Sequence, residues 1–218
     1  LKASLYHRPM AALERAIIRR SALGLFHGAE TYATYAPYAS QAEIVHDIHL
    51  REEDRIPPDA LRNKLQGVME GPLHICYLGR ADVMKGADDW IRVMASLKDA
   101  GVDFRATWWG DGERLPEMKA QVERLGLTGQ VALPGFIRDR AAILKVLREA
   151  QVFVFCHKTP ESPRNLIEAL VSGTPLVGYD SPFPKDLISA HGGGLLTPKD
   201  DVGALVSSLA GLARDRQR

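Results

Sequence analysis

The sequence is poor in the residues that would force a special architecture. It has only two cysteines, Cys76 and Cys156, and both stand in apolar runs. That excludes a disulfide-built scaffold and reads as two reduced, buried thiols. No apolar run approaches the length of a membrane span, and no signal peptide opens the chain. Charge of one sign is also lacking. Lys and Arg number 28 against 27 Asp and Glu, a formal net charge of +1. No global field then recruits nucleic acid or an anionic membrane, and any anion site has to be local. No Asp-x-Asp pair occurs anywhere, which removes a common device for holding a divalent ion on a diphosphate. The chain begins at Leu1 rather than at methionine, and we read it as an excised segment.

What remains is ordinary globular composition, 45% hydrophobic and 25% charged, with a regular rhythm. Strands are expected at 73–78, 104–109, 131–133, 152–156, 176–179 and 192–196. Helices are expected at 87–100, 115–125, 138–150, 165–172 and 201–213. Strands separated by helices of this length imply right-handed crossovers and a parallel sheet covered on both faces. The expectation is an α/β, doubly wound domain over 71–218. Residues 1–70 differ: a helical stretch at 10–20, short strands at 23–26 and 42–45, a tyrosine-rich segment between them, and a break at Ile56-Pro57-Pro58. They read as the tail of a preceding α/β unit plus a linker.

In an open α/β sheet the ligand lies beyond the carboxyl ends of the strands, and the chemistry-bearing residues of this chain follow its strands. Arg80 and Lys85 flank a loop that opens a helix. Two cations beside helix N-terminal amides make a diphosphate site, although on chemistry alone a solvated loop with ordinary surface cations is the slightly better account. Gly110-x-Gly112 lacks the third glycine of a dinucleotide fingerprint, because position 115 is Leu115; it reads as a tight strand-to-helix turn. Glu161 and Glu168 lie before and inside a helix expected from about Pro163. Seven residues apart, they are able to share a face, and a carboxylate there accepts paired bonds from vicinal hydroxyls. His46-Asp47-x-His49 has metal-like spacing but no third or fourth ligand, and His27, His74 and His191 read as structural. His157 stands out, at a strand end four residues before Glu161.

Taken together, Gly79-Arg80-x4-Lys85-Gly86, Trp109-Gly110-Asp111-Gly112, Val131-x2-Pro134-Gly135-Phe136, Glu168-Ala169-x3-Gly173-x-Pro175-Leu176-Val177 and Gly194-x2-Thr197-Pro198 resemble the ordered motifs of the group 1 retaining glycosyltransferases. The resemblance covers roughly 72–213 and implies the donor-binding C-terminal domain of a GT-B fold, Rossmann-like. It implies that Arg80 and Lys85 hold the donor diphosphate and stabilise the leaving nucleotide. Glu168 would bind the ribose hydroxyls, and Glu161 would face the sugar. Backbone around Phe136 and Ile137 would edge the base, and amides near Asn165 and Leu166 would cap a phosphate. Gly79, Gly110 and Gly112 belong to the same donor-binding set. One departure stands out: six residues separate the two glutamates where the family has seven, and Ser162-Pro163-Arg164-Asn165 replaces glycines. Either the loop is tighter or the sugar contact shifts, and Arg164 would add a third cation.

The same resemblance implies a UDP- or GDP-type nucleotide sugar as substrate, with no metal ion or other cofactor. It implies a cytoplasmic location in polysaccharide biosynthesis and peripheral membrane association of the full-length protein. The acceptor site would belong to a missing N-terminal domain, so that the isolated chain would be inactive in transfer. Two other readings use the same residues: a nucleotide-sugar epimerase of GT-B fold, and a non-catalytic binding module.

Overall fold

The computed structural model describes residues 2–46, 50–67, 71–189 and 192–215. Asp47 and His49 of the metal-like triplet lie outside them, as does His191. The chain divides into two compact units, Leu1–Ile48 and His49–Arg218.

The first unit holds α1 (Lys2–Arg20), β1 (Gly24–His27), α2 (Gly28–Tyr35), a single 3-10 turn at Ala36–Tyr38 and β2 (Ala42–Val45). β1 and β2 pair in parallel, Phe26 opposite Ile44. Parallel neighbours need a crossover, and α2 supplies it from the tyrosine-rich segment. Phe26 is buried there, stacked on Tyr35 with ring centroids 6.1 Å apart.

The second unit begins earlier than expected. The linker reading ran to residue 70, but residues 50–67 pack onto the larger unit. After a 3-10 turn at Glu52–Asp54, the supposed break at Ile56-Pro57-Pro58 is the start of a helix, α3 (Pro58–Gly67). Proline in a helix's first turn loses no bond and arrives with the right φ, which a reading of proline as a breaker overlooks. The Ile56 amide donates to the Val171 carbonyl at 2.8 Å. Lys64 of α3 reaches inward to Thr174 Oγ1 at 2.5 Å, and burial lowers its pKa to about 8.

The sheet that follows comprises β3 (Leu73–Leu78), β4 (Phe104–Trp109), β5 (Val131–Gly135), β6 (Val152–Phe155), β7 (Leu176–Tyr179) and β8 (Gly194–Thr197). All its pairings are parallel, and the order is β5-β4-β3-β6-β7-β8. The connecting helices are α4 (Ala87–Asp99), α5 (Leu115–Arg124), α6 (Arg140–Glu149), α7 (Arg164–Val171) and α8 (Pro182–Ser189), with α9 (Val202–Asp215) closing the chain. α8 was not anticipated, because Pro182 and Pro184 stand in its first turn. α6 starts two residues later than expected, where the Asp139 side chain accepts from the Ala142 amide at 2.9 Å.

The central strands β6 and β7 are buried along their whole length. Trp90, Trp108, Tyr77, Phe153 and Tyr179 fill the core, and Trp90 meets Trp108 edge to face at 5.4 Å. Cys76 and Cys156 are free and buried there, as expected, and burial pushes both thiols up to about 12.

α4 is entered through Gly86, in the left-handed region at φ 70°. A Cβ at this position would sit 1.9 Å from the Cys156 carbonyl oxygen. Gly101, after α4, has nearly the same φ, 71°, but open space around it. The left-handed backbone alone costs an L-residue about 1–2 kcal/mol. Gly101→Ala should therefore lose about that much in urea unfolding, and Gly86→Ala clearly more. Equal losses would show that the contact with Cys156 is not limiting.

Candidate functional site

At the carboxyl ends of the strands, four loops enclose a cavity of about 720 Å3. The loop after β3 contributes Gly79, Arg80 and Lys85, and the turn after β4 contributes Gly110, Asp111 and Gly112. Phe136 and Ile137 follow β5. Pro163, Arg164, Asn165 and Glu168 come from the start of α7, and Arg140 and Ile143 from α6. The position is the reversal of strand order: β3 leads outward to β4, its neighbour β6 leads the other way to β7, and the crevice opens between them.

The loops are laced backbone to backbone. The Gly79 amide donates to Trp109 O, Ala81 to Asp111 O and Gly110 to Gly135 O, each at 2.9 Å. A Cβ on Gly110 would lie 1.8 Å from Gly79 O. Gly110 is therefore required for the close approach of two loops. This gives the Gly110-x-Gly112 turn its reason without any dinucleotide fingerprint.

Asp82 organises the cationic loop. Its Oδ1 accepts from the Lys85 amide at 2.9 Å, and its Oδ2 lies 3.3 Å from the Arg80 guanidinium. The two cations then diverge. The Arg80 side chain is 71% exposed, whereas that of Lys85 is 12% exposed and paired directly with Glu161 Oε2. Reading Lys85 and Arg80 alike, as exposed loop cations, is thus corrected for Lys85.

Glu161 lies in the loop before α7, beside Lys85 rather than along a helix with Glu168. Its Oε1 is buried and accepts no hydrogen bond among the described residues; His157 Nδ1 is 3.9 Å away. His157 Nε2 lies 2.9 Å from the Tyr77 hydroxyl. Burial first, and the charge of Lys85 second, lower the His157 pKa from 6.5 to about 3.

Glu168, on α7, is 3.4 Å from Arg140, whose other guanidinium nitrogen is 2.8 Å from Asp54 Oδ2. Sequence reading had named neither Arg140 nor Asp54. The available signal was Asp139 as a helix N-cap, which places the next residue at the mouth of the crevice. Asn165 donates its side-chain amide to the Leu78 carbonyl and ties α7 to the end of β3. Leu166 is the one expected site residue that turns away: its side chain is in the core, and its amide donates to Pro163 O at 3.3 Å. Its neighbours Arg164 and Asn165 do line the cavity. Phe136 is 70% exposed at its edge.

Among the described residues, no group of three or more His, Cys, Asp or Glu side chains is arranged to hold a metal ion. No described helix is long and apolar enough to cross a membrane.

The family model of the group 1 glycosyl transferases matches residues 61–218. A 2-deoxystreptamine N-acetyl-D-glucosaminyltransferase of Streptomyces fradiae is 28% identical over 98% of this chain and 52% of its own length. A 2-deoxystreptamine glucosyltransferase of Streptomyces kanamyceticus is 29% identical over 79% and 46%. The chain thus spans about half the length of these relatives. Among solved structures, Anabaena HepE in complex with UDP superposes with a TM-score of 0.71 at 17% identity, over 92% of this chain and 59% of that one. Sucrose-phosphate synthase of Thermosynechococcus elongatus gives 0.71 at 20%, over 94% and 52%. Both likenesses establish the fold.

Two outcomes follow from the site's geometry. Lys85→Ala leaves the Glu161 carboxylate without its cation and should cost about 1–3 kcal/mol of folding stability. Arg80→Ala should stay within about 0.5 kcal/mol of wild type. Denaturant titration compares them, and equal stability of the two variants would contradict the buried pair. The second outcome concerns pH. An unfolded histidine binds its proton near pH 6.5 and the folded one only near 3, so the unfolded state holds the extra proton between those values. The stability contributed by neutral His157 is complete above about pH 6.5. It falls by up to roughly 1.4 kcal/mol per pH unit as the solution is acidified towards pH 3. The stability advantage of wild type over His157→Asn should therefore narrow between about pH 7 and pH 4. A constant difference would mean that His157 titrates normally.

Proposed function

The chain belongs to the group 1 glycosyl transferases, and from that premise we propose that its cavity is the donor subsite of a retaining glycosyltransferase, taking a nucleoside-diphosphate sugar without a metal ion. The observation that carries this reading is the convergence on one cavity of two cations, the first turn of a helix and a carboxylate, all at the reversal of strand order.

Each group has a task that its chemistry suits. Arg80, exposed at the mouth, and Lys85, at the floor, take the diphosphate oxygens. Arg164 and Asn165 face the same anion from the first turn of α7, where unpaired amides and the helix dipole favour negative charge. Glu168 accepts the two ribose hydroxyls, and Phe136 and Ile137 border the base. Glu161, next to Lys85, lies on the sugar side. As the bond from C1 to the phosphate oxygen breaks, its electron pair passes to the diphosphate, and fixed cations stabilise the charge that develops there. The acceptor oxygen bonds C1 on the same face, and its proton passes to the departing phosphate. HepE, crystallised with UDP and with UDP-glucose, makes uridine the first base to test.

Calorimetry with UDP, GDP, ADP and their sugars, with and without EDTA, checks the reading. We expect binding that survives the chelator. Arg80→Ala and Lys85→Ala should each weaken it by about 1.5–3 kcal/mol, the range for a hydrogen bond to a charged group. Wild type should prefer the ribonucleotide over its 2′,3′-dideoxy form, and Glu168→Ala should erase that preference. Unaltered affinity in both cation variants would overturn the phosphate assignment. The groups described serve the donor alone, and positioning an acceptor contributes about 7–11 kcal/mol to such a reaction. Acceptor-dependent transfer by these 218 residues is accordingly expected to stay at background.

A further inference from the structure

Behind the cavity wall lies a file of buried polar groups whose proton count admits one arrangement. The Asn165 side-chain amide has two hydrogens. One goes to the Leu78 carbonyl, at the residue that follows Tyr77. The Tyr77 hydroxyl has a single proton to give, and the acceptor in reach is His157 Nε2 at 2.9 Å. Tyr77 is fully buried, and His157 is 5% exposed. A neutral imidazole that accepts at Nε2 carries its hydrogen on Nδ1, and Nδ1 faces Glu161 Oε1. The reverse arrangement aims an imidazole lone pair at a carboxylate and leaves the Tyr77 proton without an acceptor.

The two oxygens of Glu161 are thus divided. Oε2 is paired with Lys85, and Oε1 faces the Nδ1–H of His157. On the reading of the cavity as a donor subsite, on which this inference rests, a diphosphate draws Lys85 away from Glu161. We propose that His157, its tautomer set by Tyr77, is the positioning residue that holds the Glu161 carboxylate towards the sugar once Lys85 engages phosphate. His157 is suited to this because it remains neutral: the Nδ1–H donor is present whether or not Lys85 stands beside it.

The measurement is the pair of imidazole nitrogen resonances of His157 in the 15N-labelled chain at neutral pH, with Tyr77→Phe for comparison. A protonated Nδ1 and an unprotonated Nε2 are expected, with the Nδ1 proton moving downfield when UDP-glucose is added. Tyr77→Phe should lose the single-tautomer signature. Protonated Nε2 in wild type would overturn the proposal while leaving the donor subsite intact. Failure of UDP and UDP-glucose to bind wild type would instead overturn the donor reading. The functional arm compares UDP-glucose with UDP on His157→Leu and His157→Asn. Leucine removes the donor and should lower the preference for UDP-glucose over UDP roughly threefold to tenfold, the net worth of one hydrogen bond. Asparagine, which keeps an N–H near the Nδ1 position, should restore much of it. An unchanged ratio in His157→Leu would overturn the positioning role, and should that variant not fold, the tautomer measurement decides alone.

Discussion

Two adjacent parallel strands, β3 and β6, send their connections in opposite directions along the sheet, and the cavity depends on that divergence. Right-handed crossovers then place α4 on one face and α7 on the other. The packing agrees: α4 lies against α5 and α9, and α7 against α6. The loops leaving β3 and β6 therefore part at their carboxyl ends instead of closing over the sheet. A gap of this kind exposes backbone groups that the core cannot satisfy. Asn165 spans it by donating to the Leu78 carbonyl. The same contact fixes the first turn of α7 against the end of β3, so one amide supports both the strand's carboxyl end and the start of the helix.

The charged groups in this crevice are arranged in pairs. Lys85 rests on Glu161, Arg80 on Asp82, and Glu168 on Arg140, which leans in turn on Asp54. A buried charge without a partner costs several kcal/mol, so pairing is what allows a crevice of this polarity to coexist with a folded sheet. Pairing also sets the affinity available to a ligand. An anion that takes Lys85 must replace the contact with Glu161, and only the surplus counts towards binding. Arg80, largely in water, has little to give up. The two cations therefore differ in kind: Lys85 is buried against a carboxylate, and Arg80 stands largely in water.

The six strands of the large sheet and most of its helices were legible because strands buried as β6 and β7 are leave continuous apolar runs, the others leave short apolar runs bounded by turns, and helices leave a 3.6-residue stripe. The ordered glycine and charge motifs located the cavity, and all but two of the residues expected to bind donor line it: Leu166 turns into the core, and Glu161 stands beside Lys85. What escaped the sequence depended on tertiary pairing or on proline. α3 and α8 open with prolines, which mark a helix start as readily as a break. The partnership of Lys85 with Glu161 spans 76 positions, and that of Arg140 with Asp54 spans 86. Nothing in local periodicity encodes such distances. The boundary near residue 70 failed for a related reason: the polar segment before α3 reads as a linker, but Arg140 and Arg148 of α6 bind its carboxylate and carbonyl.

The segment Ser162–Asn165 shows how a departure from the family pattern is accommodated. Glycines at such a place let backbone amides approach an anion, but they leave the chain loose, and the entropy of ordering it opposes binding. Here Pro163 precedes α7 with φ −75° and ψ 124°, a conformation its ring favours. Arg164 brings a side-chain cation, and Asn165 anchors the turn to β3. Glu161, at the other end of the shortened loop, is held by Lys85 and faced by His157. The loop thus exchanges backbone adaptability for side-chain contacts that are in place before any ligand binds. Preorganisation of this kind lowers the cost of binding one ligand shape, and it narrows the range of shapes the loop can follow. The carboxylate at the start of this tighter glutamate-to-glutamate segment thus has its contacts from other loops: Lys85, after β3, pairs with it, and His157, after β6, faces it.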